Sequence, residues 1–326
     1  PETYRRLYGL FGKSGDRDRA YSACGALVAL GAADIDEQLI HAQFAPEAPL
    51  NPTRRFDADV WQALAAPGND PHLEAVLAAI EPAAIAAWLA ARPADAQPVL
   101  QDKKHRQDSK KTTVSAVRTF FWASRLLGVP EPTIYARPDD TRLGVVSPPV
   151  EGATVSLGRS VLVGRSPSEL SFIAAHHMAY HRRGWRLLGY YSETAELEAL
   201  IGGALVLGES DRAAALRSDA RARELARTLG ELVTPEAREA LVEAAARFRG
   251  DARASALVAF RRSVETVACR AALLASGDVT VAGAVLAVSG AHVAGLTAAD
   301  RTHDLLAFSV SERYAALRRR LGVAVA

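Results

Sequence analysis

The sequence predicts a mainly α fold (α+β) carrying a small β-sheet. Three observations lead there. Hydrophobic residues make up 49% of the 326 residues while aromatics reach only 6%, and alanine is abundant. Alanine has the highest helix propensity, whereas strands favour aromatic and β-branched side chains. Apolar positions recur at helical spacing along most of the chain, and short β-like runs crowd into one stretch near residues 132–164.

Residues 1–45 read as two or three short helices. "TYRRLYGLF" sets Tyr4, Leu7 and Phe11 on one face, and "GKSGD" breaks it. "RDRAYSACGALVALG" sets Ala20, Cys24 and Leu27 on one face before Gly31, a suitable stop. "PEAPLNPTRRFD" (46–57) is a proline-rich connector. Helices follow over "DADVWQALAA", "PHLEAVLAAI" and "EPAAIAAWLAA", with Pro82 in the first turn of the last. "QDKKHRQDSKK" (101–111) has no apolar residue and reads as a solvated loop between domains.

Beyond it, "TVSAVRTFFWASRLLGV" is an amphipathic helix with Val117, Phe120, Ala123 and Leu127 on one face. "PTIYARP" and "GVVSPP" are short strands, and "ATVSLGRSVLVG" offers two more or a hairpin. "SPSELSFIAAHHMAYHRR" opens on a capping box, Ser166 and Glu169, with Pro167 at the first helical position. Helices are expected over about 193–207, 210–229, 234–247, 252–275, 279–291 and 305–321. The apolar run 279–296 is interrupted by Ser289 and His292 and reads as a core helix rather than a span. The expected organisation is a helical part over 1–100, a charged linker over 101–111 and a second domain over 112–326.

With 39 basic against 37 acidic residues the net charge is +2, which argues for neither a nucleic-acid partner nor membrane insertion. Cys24 and Cys269 form no disulfide framework and no C-x-x-C pair, which suits a reducing, cytoplasmic setting. No phosphate-binding glycine loop and no G-x-S-x-G element is present. His41, His72, His105, His292 and His303 form no pattern.

The chemistry concentrates in "FIAAHHMAYHRRGW" (172–185), which holds three of the eight histidines within six positions. His177 and His181 are four apart, so their side chains lie one above the other on one helix face. Two imidazoles so placed can hold one zinc ion, which takes four ligands, one of them water in catalytic sites. A third protein ligand must then come from elsewhere. Glu193, Glu196 and Glu198 follow soon after, but they suit the first turn of the next helix, where the dipole favours negative charge. Without a metal, the same histidines can serve as hydrogen-bonding core residues. His176 points about 100° around the helix from His177 and need not share its role.

Two resemblances add to this. Tyr4, Leu7, Phe11, Ala20, Cys24 and Leu27 are spaced as in one tetratricopeptide helical hairpin. The segment "VETVACRAA" (264–272), with Glu265, resembles the E-x-x-A-D-R-A stretch of the HtpX-like and CAAX-prenyl-protease gluzincins. "VSLGRSVLVGRSPSELSFIAAHHMAYH" is similar to that family's strand, S-x-x-E-L cap and L-A-H-E-x-x-H helix. "SGDVTVA" and "SERYAALRRRLG" resemble its later G-D-x-x-A and E-R-I-x-x-L-R segments, so the likeness spans roughly 112–326. It implies a zincin-like domain, zinc held by His177, His181 and Glu265, and peptide hydrolysis.

Departures from the pattern change that expectation. Met178 stands where the family has its catalytic glutamate, and a thioether takes no proton from water. Loss of a general base costs on the order of 10²–10⁴ in rate. Cys269 replaces the acidic residue of the glutamate segment; it is a candidate thiolate ligand or a small buried hydrophobe. The family's H-P before its closing helix is absent at "AFSVSER". The expectation is therefore a non-catalytic protein-binding or scaffold module, a pseudo-metallopeptidase behind a tetratricopeptide-like segment, with a protein or peptide partner. The alternative is an active zinc metallopeptidase using His177, His181 and Glu265 with a displaced base.

Overall fold

In this computed structural model the described residues are 1–92, 103–141, 144–150, 152–211, 219–250, 253–289 and 292–325. Three helices come first: α1 (Glu2–Ser14), α2 (Arg17–Ala29) and α3 (Ile35–Phe44). α1 packs on α2 and α2 on α3, as helical hairpins. Asp34 and Glu37 form a capping box at α3, and Gly15 closes α1 at φ 74°, a left-handed conformation glycine adopts without strain.

α4 (Ala58–Leu64) leads to α5 (Pro71–Ala90), a single helix where the sequence suggested two. Pro82 lies inside α5 instead of at a start. Burial of Leu73, Val76, Leu77 and Ile80 on one side of it, and of Ala83, Ala84 and Ile85 on the other, holds the helix together against the lost main-chain hydrogen bond. α5 is also the one described helix long and apolar enough to cross a membrane; half of its most apolar window is buried in the fold.

The charged run is more than a loop. After a short turn at Lys103–His105, Arg106 and Gln107 form strand β1. β1 pairs antiparallel with β2 (Thr133–Arg137), β2 runs parallel to β4 (Thr154–Gly158), and β3 (Val145–Val146) pairs antiparallel with β4. The order is β1-β2-β4-β3. Charged residues suit an edge strand, where they discourage pairing with other chains. The segment after β4 forms the short helix α7 (Arg159–Leu162) instead of a hairpin partner.

α6 (Ser115–Leu127) joins β1 to β2, and α8 (Pro167–Ala179) follows α7. Then come α9 (Leu187–Tyr190), α10 (Thr194–Leu207), α11 (Ala220–Leu232), α12 (Pro235–Arg247), α13 (Ala254–Ser276), α14 (Val279–Ser289), α15 (Ala298–Ser309) and α16 (Glu312–Leu321). The last expected helix is thus two, parted where Ser311 caps α16. Its side chain accepts from the Tyr314 amide and fixes the new start. The described residues are mainly helical, at 65% with 16 helices, beside one four-stranded mixed sheet.

One buried apolar cluster runs from Ala26 to Leu321 and draws residues from both sides of the charged run. Trp185, Phe120, Phe172, Phe248 and Phe260 are its largest fully buried side chains. α8 sits in it between α6 and α13. That placement decides what its histidines meet.

Candidate metal centre

The capping box expected at α8 is present: Ser166 accepts from the Glu169 amide at 3.2 Å, and Glu169 accepts from the Ser166 amide at 2.8 Å. From that start, helical spacing lays two polar stripes side by side. Phe172, His176 and Tyr180 share one stripe; His177 and His181 share the next.

The second stripe meets Ser147, which follows β3. The Ser147 hydroxyl oxygen lies 2.9 Å from His177 Nε2 and 2.8 Å from His181 Nε2. Its loop is clamped from beyond α8. The Tyr190 hydroxyl lies 3.2 Å from the Ser147 carbonyl and 2.9 Å from that of Pro148, and Arg186 Nη2 donates to the Val150 carbonyl at 2.8 Å. His181 Nδ1 is buried without a partner among the described residues. An orphaned N–H costs more than an idle lone pair, so the proton belongs on His181 Nε2. The chain of donors then runs from His181 Nε2 to the Ser147 hydroxyl, and from that hydroxyl to His177 Nε2.

Burial, with the neighbouring His176, pushes His177 down to about 3. Burial, then His177 and Arg186, pushes His181 well down too. Both rings are neutral at pH 7. A serine hydroxyl donating to an imidazole is the geometry of a nucleophile and its base, but a base held near 3 gives little driving force at neutral pH.

The first stripe meets Glu265, on α13 and wholly buried. Its Oε1 accepts from Arg301 Nη1 at 2.8 Å, and its Oε2 accepts from the Tyr180 hydroxyl at 2.6 Å. His176 Nε2 lies 3.2 Å from Oε1 and 3.1 Å from Oε2, and the Cys269 thiol donates to Oε1 at 3.6 Å. Burial alone raises a carboxyl; here His176, Tyr180 and Arg301 outweigh it and hold Glu265 well below the usual range. The Cys269 thiol is pushed well up by burial and by the Glu265 charge.

The structure therefore brings His177 and His181 together as expected but turns Glu265 toward His176. Among the described residues, one group of three metal-capable side chains lies within 4.8 Å: His176, Glu265 and Cys269, and this group could hold a metal. The set His177, His181 and Glu265 fits a zinc ion poorly in this arrangement. Both Nε2 atoms are engaged by Ser147, and the carboxylate faces His176 instead. Glu193 sits at the N-cap position of α10, and Glu196 pairs with Arg92 at 3.3 Å in its first turn. Met178 is completely buried in the apolar core.

Ser147, Tyr180 and Arg301 were not singled out from the sequence. Tyr180 had a signal, because His176 and Tyr180 are themselves four apart. Ser147 and Arg301 lie 34 and 36 residues from the groups they bond and carry no local signature. Compared with known proteins, the chain matches no family model, no curated protein and no solved structure.

Proposed function

We propose that the chain is a non-catalytic protein-binding module on a degenerate gluzincin-like frame, with a tetratricopeptide-like hairpin at its start. One observation carries the reading: Ser147 engages the Nε2 atoms of both His177 and His181, the atoms a catalytic zinc would need. Met178, at the position of that family's base, is buried, and its thioether takes no proton from water. The N-terminal helices suit a protein partner. Ile35 and Leu39, one turn apart on α3, are 76% and 62% exposed.

The zinc reading keeps one specific support. His176, Glu265 and Cys269 form a mixed nitrogen, oxygen and sulfur donor set of the kind zinc accepts. Arg301 on Oε1 would then orient the carboxylate from behind, as such partners do for ligating groups. A structural ion at that place is compatible with a binding module; a hydrolytic one lacks its base.

The test pairs metal analysis with a cleavage assay on casein and a peptide library. The expected result is no hydrolysis by the unaltered protein in added zinc. Any bound zinc is lost in His176→Ala and kept in His177→Ala. Hydrolysis by the unaltered protein that His177→Ala abolishes would overturn the proposal.

A further inference from the structure

A groove of about 730 Å³ runs along the outer face of α6. Its floor is Ser115, Arg118, Thr119, Trp122 and Arg125, spaced to share one helix face. One wall is the turn after β1, with Lys110 and Thr112; the other includes Arg165, Pro167 and Leu170 at the start of α8. The groove is thus lined by four cations and no acidic residue.

Two of those cations have partners outside the lining. Arg125 lies 3.6 Å from Glu131, and Arg165 lies 3.1 Å from Glu169. Arg118 and Lys110 are exposed, and among the described residues their side chains make no ion pair or hydrogen bond. Two uncompensated charges beside two half-compensated ones produce a local positive field on a chain that is otherwise near balance. The other basic cluster, "RRR" at 318–320, is paired within the chain: Arg318 on Asp18 in the interior, and at the surface Arg319 on Glu312 and Arg320 on Asp57 and Asp59.

We propose that this groove binds an acidic peptide segment of a partner protein. Its volume lies in the range that encloses a short peptide or drug-sized ligand. Carboxylates meet Lys110 and Arg118, the Ser115 hydroxyl offers a further donor, and the half-buried Trp122 ring receives one apolar side chain. Single-stranded nucleic acid fits less well, because it needs successive bases stacked on open aromatic faces. Phe121 is 3% exposed, which leaves Trp122 alone for that task. The inference rests on the binding-module reading and names the surface that reading needs.

The experiment measures fluorescence anisotropy of a labelled peptide alternating aspartate with leucine, titrated with the full chain at low salt. The controls are the same peptide with asparagine for aspartate, and an oligothymidylate. Expected is saturable binding of the acidic peptide that weakens with salt, no binding of the amide peptide, and at least a ~10-fold loss in Lys110→Glu/Arg118→Glu. Both substituted residues are exposed, so the variant keeps its fold. No acidic-peptide binding up to about 1 mM, equal binding of the amide peptide, or an unchanged affinity in the double variant overturns the proposal. Tighter binding of the oligothymidylate overturns the choice of partner. Failure here leaves the cleavage assay untouched, so loss of the groove and loss of the non-catalytic reading are separate results.

Discussion

His176 and His177 are neighbours in sequence with opposite surroundings. One shares a buried carboxylate with an arginine and a tyrosine; the other accepts from a serine that a second histidine also holds. The consequence is a pH dependence with a definite sign. His177 and His181 titrate below their ordinary 6.5 in the folded chain, with Phe120, Ser147 and Arg186 as the groups facing them. The folded state binds fewer protons, so their contribution is complete above pH 6.5 and is lost as pH falls toward the folded values. By pH 5 the loss from His177 is on the order of 2 kcal/mol, and His181 acts in the same direction. Thermal unfolding followed from pH 7.5 to 5 should show Tm falling, and His177→Gln/His181→Gln should flatten that slope. An equal slope in the double variant would refute the assignment. At this scale the sequence was half legible. The four-residue spacing identified the His177–His181 pair, and "VETVACRAA" identified Glu265 as a special carboxylate. Which histidine it serves depends on the rotation of α8 relative to α13, a tertiary quantity that no spacing within either helix encodes.

Among the elements, α10 packs tightly on α11, and Gly203 permits it. A Cβ there would stand 2.8 Å from Leu225 Cβ, 3.0 Å from the Ala226 nitrogen and 3.1 Å from the Ala222 carbonyl oxygen. Two of those are main-chain atoms, so relief requires moving a helix. Gly203→Ala should cost about 1–3 kcal/mol through overpacking, read as a lower denaturant midpoint. Gly9→Ala in α1, where nothing lies within 4 Å, should be neutral or stabilising through helix propensity. Equal effects of the two would refute the packing argument. Helix existence was legible here because periodicity and caps are local; the Ser166 capping box is one instance. Boundaries were not legible wherever burial overrode a local breaker. Pro82 reads as a start, yet apolar burial on both sides of it carries α5 through. "SVLVG" reads as strand, yet it turns into α7 because β4 already has both neighbours.

Across the whole molecule, α2 and α16 are stitched together inside the fold. Arg318 Nε donates to both oxygens of Asp18, at 2.9 and 3.1 Å, with both side chains at most 5% exposed. The Val325 amide donates to the same carboxylate at 2.8 Å. Asp18→Ala would leave Arg318 buried without its countercharge, which costs about 3–5 kcal/mol. Equilibrium denaturation should show that loss; a change within about 0.5 kcal/mol would mean the pair is not buried in solution. There is also a consequence in time. Asp18 and Arg318 are 300 positions apart, so α2 emerges from the ribosome long before its electrostatic partner exists. Until then its carboxylate stays hydrated, and the face it turns to α14 and α15 stays uncovered. Closing so long a loop is a late and slow event. The nascent chain therefore carries an unfinished, chaperone-accessible surface on α2 until α16 has been made.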